Sequence, residues 1–397
     1  MKVIYLSPVV FSKRDYDRFG IDIMQKKGHE CEIWDLSYCV YGERSKPQRS
    51  HYSGKNLVII NSKACFDKYI LKEKSATFVD LSAFGRDELF IKKTLAENKH
   101  KYIWIFVNSI PTLGGRKRES SFKRNISIVK KFFGKLCSVL LRDPKKDNQF
   151  EKTIQSIRNN MPYKVFLGAS RDFYNLPREI RHDLPTVYIH TLDYDLFLTN
   201  LMMKQKTKEG SYIVFIDAGY VDHPDYILTG TKSAIYGKEQ KFFTELQQVF
   251  TALEEHYHIP VVIAAHPRVI YRTNVYGDRK IVYSKTIDLV RNAELVLMNW
   301  STASNFAVLY NKPILMLYNE QIKASVEWKE FYIPCYKALG LKPFMMEKLS
   351  LTNKKNKPWD YIKEINERKY QSYMQNYIKK DNTPKLLFWE VVEQEIK

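Results

Sequence analysis

The chain has 397 residues, and its 64 Lys and Arg outnumber its 44 Asp and Glu, giving a formal net charge of +20. With 44% hydrophobic and 14% aromatic residues but only 15 Gly and 15 Pro, it is neither a disordered linker nor a fibre, and its length predicts two domains, each with its own core. Five scattered cysteines (Cys31, Cys39, Cys65, Cys137, Cys335) form no CxxC clasp for zinc and fit a reducing cytoplasm. The apolar start of MKVIYLSPVVFSKRD is too short for a signal peptide, and no run of apolar residues is long enough to span a bilayer, so a cytoplasmic protein is expected. The basic balance asks for an acidic partner: phosphorylated substrate, anionic lipid or nucleic acid.

In chain order, Val3–Leu6 reads as a strand, Tyr16–Lys27 as a helix and Glu30–Trp34 as a second strand. Leu57–Ile60, Thr77–Val79, Tyr102–Val107 and Lys164–Leu167 continue the strand series. These runs are continuously apolar rather than alternating, which predicts a parallel sheet covered on both faces. Between Thr112 and Lys146, basic residues including Arg116, Lys117, Arg118, Lys130, Lys131 and Arg142 face only Glu119 and Asp143, and apolar residues recur at helical spacing from Ser120 to Leu141. Such a basic amphipathic helix either lies on an anionic membrane surface, at about 1 kcal/mol per cation, or packs as an ordinary domain helix with solvated lysines. No RRM, KH, zinc-finger or helix-turn-helix signature supports nucleic acid as the partner, and none is expected.

The polar stretch 204–210 separates a second series: strand Tyr212–Ile216, helix Lys238–His256, strands Val261–Ala265 and Lys280–Tyr283, helix Thr286–Asn292, strand Leu295–Met298, helix Thr302–Tyr310 and strand Pro313–Leu317. Two Rossmann-like α/β units facing a cleft follow, divided as 1–205, 206–365 and a C-terminal helix within 366–397 that returns to the first unit. The first unit lacks a clean GxGxxG, which weighs against a dinucleotide-dependent dehydrogenase.

Ligands of open α/β sheets bind beyond the carboxyl ends of strands, which singles out three loops of the second unit. Asp217-Ala218-Gly219 with Asp222, His223 and Asp225 offers a general base among its carboxylates, with Asp217 closest to the sheet, or only turn caps. Gly219, Asp222 and His223 are candidate substrate contacts. His266-Pro267-Arg268 offers a titratable donor and a fixed cation. Ser301-Thr302-Ala303-Ser304 reads as a helix start with Ser301 as N-cap, whose amides and hydroxyls (Ser301, Thr302, Ser304) suit a phosphate. In the first unit, Asp15 follows the first strand and is an alternative base or a helix-start charge.

The His-Pro dipeptide after a strand, followed by a Ser-Thr pair at a helix start, resembles the bacterial sialyltransferase and Kdo-transferase group of GT-B glycosyltransferases. The resemblance covers the second unit from Ile213 to Leu317 and the first unit loosely. It implies a GT-B fold and an inverting transfer from a CMP-sugar to a glycan or lipid-linked glycan acceptor, in surface polysaccharide assembly. It implies that His266-Pro267 and Ser301-Thr302 hold the donor phosphate, to which the reading of the loops adds Arg268 and Ser304, with no metal or other cofactor. Of the group's acidic base motif, Asp217-Ala218-Gly219 lacks the middle acid, and some members carry the base in the first domain, which keeps Asp15 open. A nucleotide-sugar epimerase on the same scaffold, a UDP-, GDP- or TDP-sugar transferase and a non-enzymatic polyanion binder are the alternatives.

Overall fold

In the computed structural model, residues 1–45, 51–107, 109–112, 144–202, 211–221, 223–271, 274–349 and 356–397 are described. The expected amphipathic helix 120–141 and Asp222 lie outside them.

The first sheet contains β1 (Lys2–Ser7), β2 (Glu30–Asp35), β3 (Leu57–Ile59), β4 (Thr77–Asp80), β5 (Lys101–Phe106), β6 (Lys164–Leu167) and β7 (Thr186–Tyr188), in the spatial order β3-β2-β1-β4-β5-β6-β7. The second contains β8 (Ile213–Ile216), β9 (Val261–Ala265), β10 (Ile281–Tyr283), β11 (Leu295–Met298), β12 (Ile314–Tyr318) and β13 (Phe344–Met345), in the order β10-β9-β8-β11-β12-β13. Every strand pair is parallel. Both sheets therefore repeat the doubly wound order, with the switch points between β1 and β4 and between β8 and β11. The chain is two Rossmann-like α/β units, as its continuous apolar runs imply.

Those runs are apolar throughout because helices cover both faces. Ile213, Val214, Phe215 and Ile216 are all at most 3% exposed, and each such burial contributes about 1.5–3 kcal/mol. The helix expected over Tyr16–Lys27 is instead two short helices, Lys13–Arg18 and Ile21–Lys26, broken at Gly20. Gly20 is left-handed (φ +58), and a Cβ there would lie 2.2 Å from Trp389 Cγ. The break exists because the C-terminal helix Phe388–Ile396 packs here: Phe388, Trp389, Val391, Val392 and Ile396 share a core with Val3, Tyr5 and Ile21 of the first unit. Just before it, Tyr370, Tyr373 and Ile378 belong to the core of the second unit. The last segment of the chain thus passes from the second unit's core to the first's. No helix among the described residues is long and apolar enough to cross a membrane.

Candidate active site

The strand order β9-β8-β11 makes the three loops picked from the sequence neighbours at one edge of the second sheet. The middle one begins at Asp217, which is 5% exposed. Its Oδ1 accepts from the Gly219 N–H (3.0 Å) and its Oδ2 accepts from the Tyr271 hydroxyl. That hydroxyl in turn accepts from the His266 N–H at 2.7 Å. Burial raises the carboxyl's pKa above the ordinary value, while these donors oppose the rise. Asp217 thus ties the loop after β8 to the loop after β9, a positioning role that stands beside its expected role as the base.

Gly219 makes the approach of the two histidines possible. It is left-handed (φ +69), and a Cβ would lie 2.8 Å from Val269 Cγ2, 3.3 Å from His266 Cγ and 3.4 Å from His223 Cδ2. The two imidazole rings lie 4.6 Å apart, centroid to centroid. His223 caps the helix Pro224–Thr229, its Nδ1 accepting from the Asp225 N–H (3.2 Å), and His266 Nδ1 accepts from the Arg268 N–H (3.3 Å). A ring nitrogen that accepts a backbone N–H carries no proton, so both rings are fixed as neutral Nε2–H donors. Burial first, then the neighbouring His223 ring and the charges of Arg268 and Arg14, hold His266 down at about 3. Burial lowers His223 as well. His266 is consequently a permanent neutral donor near neutral pH rather than the titrating one expected from sequence. The same geometry suits these rings poorly to a metal, whose coordination by Nε2 would move the proton to Nδ1, against a backbone N–H. Among the described residues no three His, Cys, Asp or Glu gather as a metal site.

Arg268 pairs with exposed Asp225 (2.9 Å), whose other oxygen lies 3.6 Å from His223 Nδ1. Asp225 is an exposed carboxylate of this edge.

The third loop departs from expectation. Its helix runs from Ser304 to Leu309 with Ala303 as N-cap and no side-chain cap. Ser301 is not that cap; its Oγ accepts from the Ala303 N–H (3.2 Å) in a tight turn ahead of the helix. Ser304 is 1% exposed, and at the wall of a small cleft its hydroxyl donates to the Ser301 carbonyl (2.8 Å) and meets the Tyr373 hydroxyl at 3.0 Å. Thr302 is exposed and Ser301 half-buried. Ser301 lines a small cleft with Trp300 and Phe331, whose rings stack at 4.6 Å, and with Ile110 and Pro111 from the first unit.

Asp15 serves the helix start: its Oδ2 accepts from the Ser12 N–H (3.0 Å) and hydroxyl (2.6 Å), completing a capping box, which is the helix-start role expected of it beside that of a base. The sequence reading passed over the arginines beside it. Arg14 is exposed, and Arg18 lies 3.7 Å from Asp193. Asp193 also accepts from Asn305 Nδ2 (2.9 Å), linking the first unit's edge to the helix after β11. A pair of arginines at i and i+4 just past the first strand was the available signal.

No family model and no curated protein matches the sequence. Among solved structures, the chain is similar to the UDP-GlcNAc 2-epimerase of Methanocaldococcus jannaschii in complex with UDP-GlcNAc and UDP, at 14% identity and TM-score 0.45, over 94% of this chain and 99% of that one. It is similar to the spinosyn forosaminyltransferase SpnP at 10% identity and TM-score 0.48, over 100% of each chain. It is similar to the wall teichoic acid polymerase TagF at 10% identity and TM-score 0.48, over 99% of this chain and 90% of that one. Likeness at this level concerns the course of the chain and not its chemistry.

Proposed function

We propose that this chain is a glycosyltransferase that takes its sugar from a nucleotide-sugar donor. The observation that supports the reading best is the pair of imidazoles fixed as Nε2–H donors beside Arg268, beyond the strand ends of the second sheet. A leaving phosphate needs such groups: preorganised donors and a fixed cation that strengthen their hold as negative charge develops. The exposed hydroxyl of Thr302 and the loop at Ser301 complete the phosphate side. The resemblance of His266-Pro267 and Ser301-Thr302 to the sialyltransferase and Kdo-transferase group favours a CMP-sugar among the possible donors and a glycan or lipid-linked glycan as acceptor.

In the proposed step the acceptor hydroxyl gives its proton to a carboxylate of the cleft, for which Asp225 and Asp217 are the candidates, and its oxygen bonds to the anomeric carbon from the face opposite the nucleotide. The bond from that carbon to the nucleotide phosphate oxygen breaks, and the electron pair stays on the phosphate facing His266, His223 and Arg268. Inversion at the anomeric carbon follows. If Asp225 is the base, Asp225→Asn lowers kcat by about 10²–10⁴ and Asp217→Asn chiefly weakens nucleotide binding. The reverse pattern assigns the base to Asp217.

The reading is tested by calorimetric titration with CMP, CDP, UDP, GDP and TDP, repeated with His266→Ala. Selective nucleotide binding that weakens about tenfold or more in the variant supports it, since one lost hydrogen bond to a charged group is worth about 1.5–3 kcal/mol. Binding of no nucleotide, with salt-sensitive binding to polyanions indifferent to His266, would replace it with a non-enzymatic role.

A further inference from the structure

The small cleft beside Ser301 is walled by Ile110 and Pro111 of the first unit and by Trp300, Phe331, Cys335 and Tyr373 of the second. Trp300 directly precedes Ser301, and Phe331 lies in the wide turn Trp328–Tyr332 that leads into the helix Ile333–Leu339, where Cys335 sits. The two rings are nearly parallel, with 10° between their planes. Glu327 braces them: its Oε2 accepts from Trp300 Nε1 (3.4 Å), and its Oε1 accepts from the hydroxyl of Tyr226 (3.1 Å), on the helix that His223 caps. The aromatic wall is thereby tied to the element that carries one of the phosphate-side donors. The cleft offers about 200 Å³, less than a pocket for a whole nucleotide or disaccharide needs, so it fits one substituent of a ligand. Most polar atoms of its walls are engaged. The Ser304 hydroxyl donates to the Ser301 carbonyl and the Tyr373 hydroxyl to Asn305 Oδ1, while burial pushes the Cys335 thiol up to about 12 and keeps it neutral. A sugar hydroxyl placed here loses its water for little return, whereas a methyl group gains by leaving water. Ser301 differs: its Oγ accepts from the Ala303 N–H (3.2 Å), which leaves the hydroxyl proton for an incoming acceptor atom.

We propose that this cleft receives an acetamido group of the donor sugar, its methyl against Trp300, Phe331, Ile110 and Pro111 and its carbonyl oxygen accepting from the Ser301 hydroxyl. The proposal rests on the glycosyltransferase reading and narrows its donor to N-acylated sugars. An acetamido group matches both features of the wall, an apolar surface and one donor, where a plain hydroxyl matches only the donor. Because Ser301 belongs to the loop of the phosphate side, a sugar joined to that phosphate brings its substituents to this cleft. Walls from both units make the subsite complete only when the units stand as they do here.

The test is calorimetry on the full chain with nucleotide-sugars that differ only in this group: CMP-N-acetylneuraminate against its counterpart with hydroxyl in place of acetamido, and UDP-N-acetylglucosamine against UDP-glucose. In the pair whose nucleotide the chain binds, the acetamido member is expected to bind about tenfold or more tighter. Ile110→Trp, which fills the cleft, abolishes that preference, and Ile110→Ala, which removes part of a wall, lowers it about threefold or more. Affinity for the nucleotide without sugar stays within about twofold in both variants, which also shows that they fold. The proposal is overturned if wild type binds both members of the pair within about twofold, or if both variants keep the preference. It is equally overturned if Ile110→Trp spares the preference but abolishes binding of octyl glucoside to nucleotide-saturated protein, since the cleft then belongs to an apolar acceptor. Failure of the underlying reading shows separately, as nucleotide binding indifferent to His266→Ala. N-acetylglucosamine against glucose reads the cleft with no nucleotide attached, and its preference too should vanish in Ile110→Trp.

Discussion

The carboxyl edges of the two sheets occupy the same place in the fold and use their polar residues differently. At the first sheet, acids close to the strand ends are turned inward. Asp35 at the end of β2 accepts from the Phe11 and Ser37 N–H groups (3.1 and 2.9 Å). Asp80 at the end of β4 accepts from the Ser82 N–H (2.9 Å) and from Lys92 Nζ (2.7 Å). Asp172, just after β6 and pushed up to about 7 by burial, accepts from the Ser109 N–H and hydroxyl and the Ala169 N–H. Loop amides that leave a parallel sheet need acceptors, and these carboxylates supply them. Asp217 does the same at the second sheet, but there His223, His266 and Arg268 stand in front of it. The strand-end acids Asp35, Asp80, Asp172 and Asp217 all hold loop amides or side chains in place, and on the proposed reading the chemistry lies in the bases and cations that this scaffold aims.

The largest expected effect breaks or upholds that division. Lys92 and Asp80 are both fully buried, and Asp80→Ala leaves a charged ammonium without its partner. A loss of about 3–5 kcal/mol in the first urea transition is expected, against at most about 1 kcal/mol for Asp225→Ala, whose carboxylate is exposed. Equal losses would show that the two edges are built alike.

The second effect is on pH. His266 is held at about 3 in the folded chain against an ordinary 6.5, chiefly by burial. Below pH 6.5 the unfolded chain therefore takes up a proton that the folded chain refuses, so stability falls as pH drops from 6.5 toward 3. His223 acts in the same direction. The decline is at most about 1.4 kcal/mol per pH unit for each ring. Urea midpoints at pH 7.5 and 5.0 measure it, and His266→Gln should flatten the difference. An undiminished decline in that variant would mean that His266 does titrate with a ligand-ready proton and is not a fixed donor.

The two sheets were legible in the sequence wherever a strand is buried on both faces, because there the apolar run is continuous, as in Val261–Ala265. The missed strands are Thr186–Tyr188 and Phe344–Met345, of three and two residues, at the outer edges of their sheets. They are too short to show a period. The three loops were legible too, since strand ends are visible and the switch point brings them together. What was not legible was direction. That Asp217 faces Tyr271, 54 residues on, is set by tertiary packing. The helix start was misplaced because Ser301, Thr302 and Ser304 offer three hydroxyls, any of which satisfies the local rule for a cap, whereas Ala303 occupies the position.

That misplacement gives the smallest and sharpest test. Ser304 was expected to donate to a phosphate; in the fold its hydroxyl bonds the Ser301 carbonyl (2.8 Å) and meets Tyr373 (3.0 Å), which in turn donates to Asn305 Oδ1 (3.2 Å). Ser304→Ala should therefore cost about 1 kcal/mol of stability, the net worth of an ordinary buried hydrogen bond, and leave nucleotide affinity within about twofold. Exposed Thr302 makes the control, since Thr302→Val removes a hydroxyl and leaves the buried bonds alone. Were Ser304→Ala the more damaging to binding, the turn at Ser301–Ala303 would have to open when a phosphate arrives, releasing the Ser304 hydroxyl from the Ser301 carbonyl and placing it where the helix start was first read.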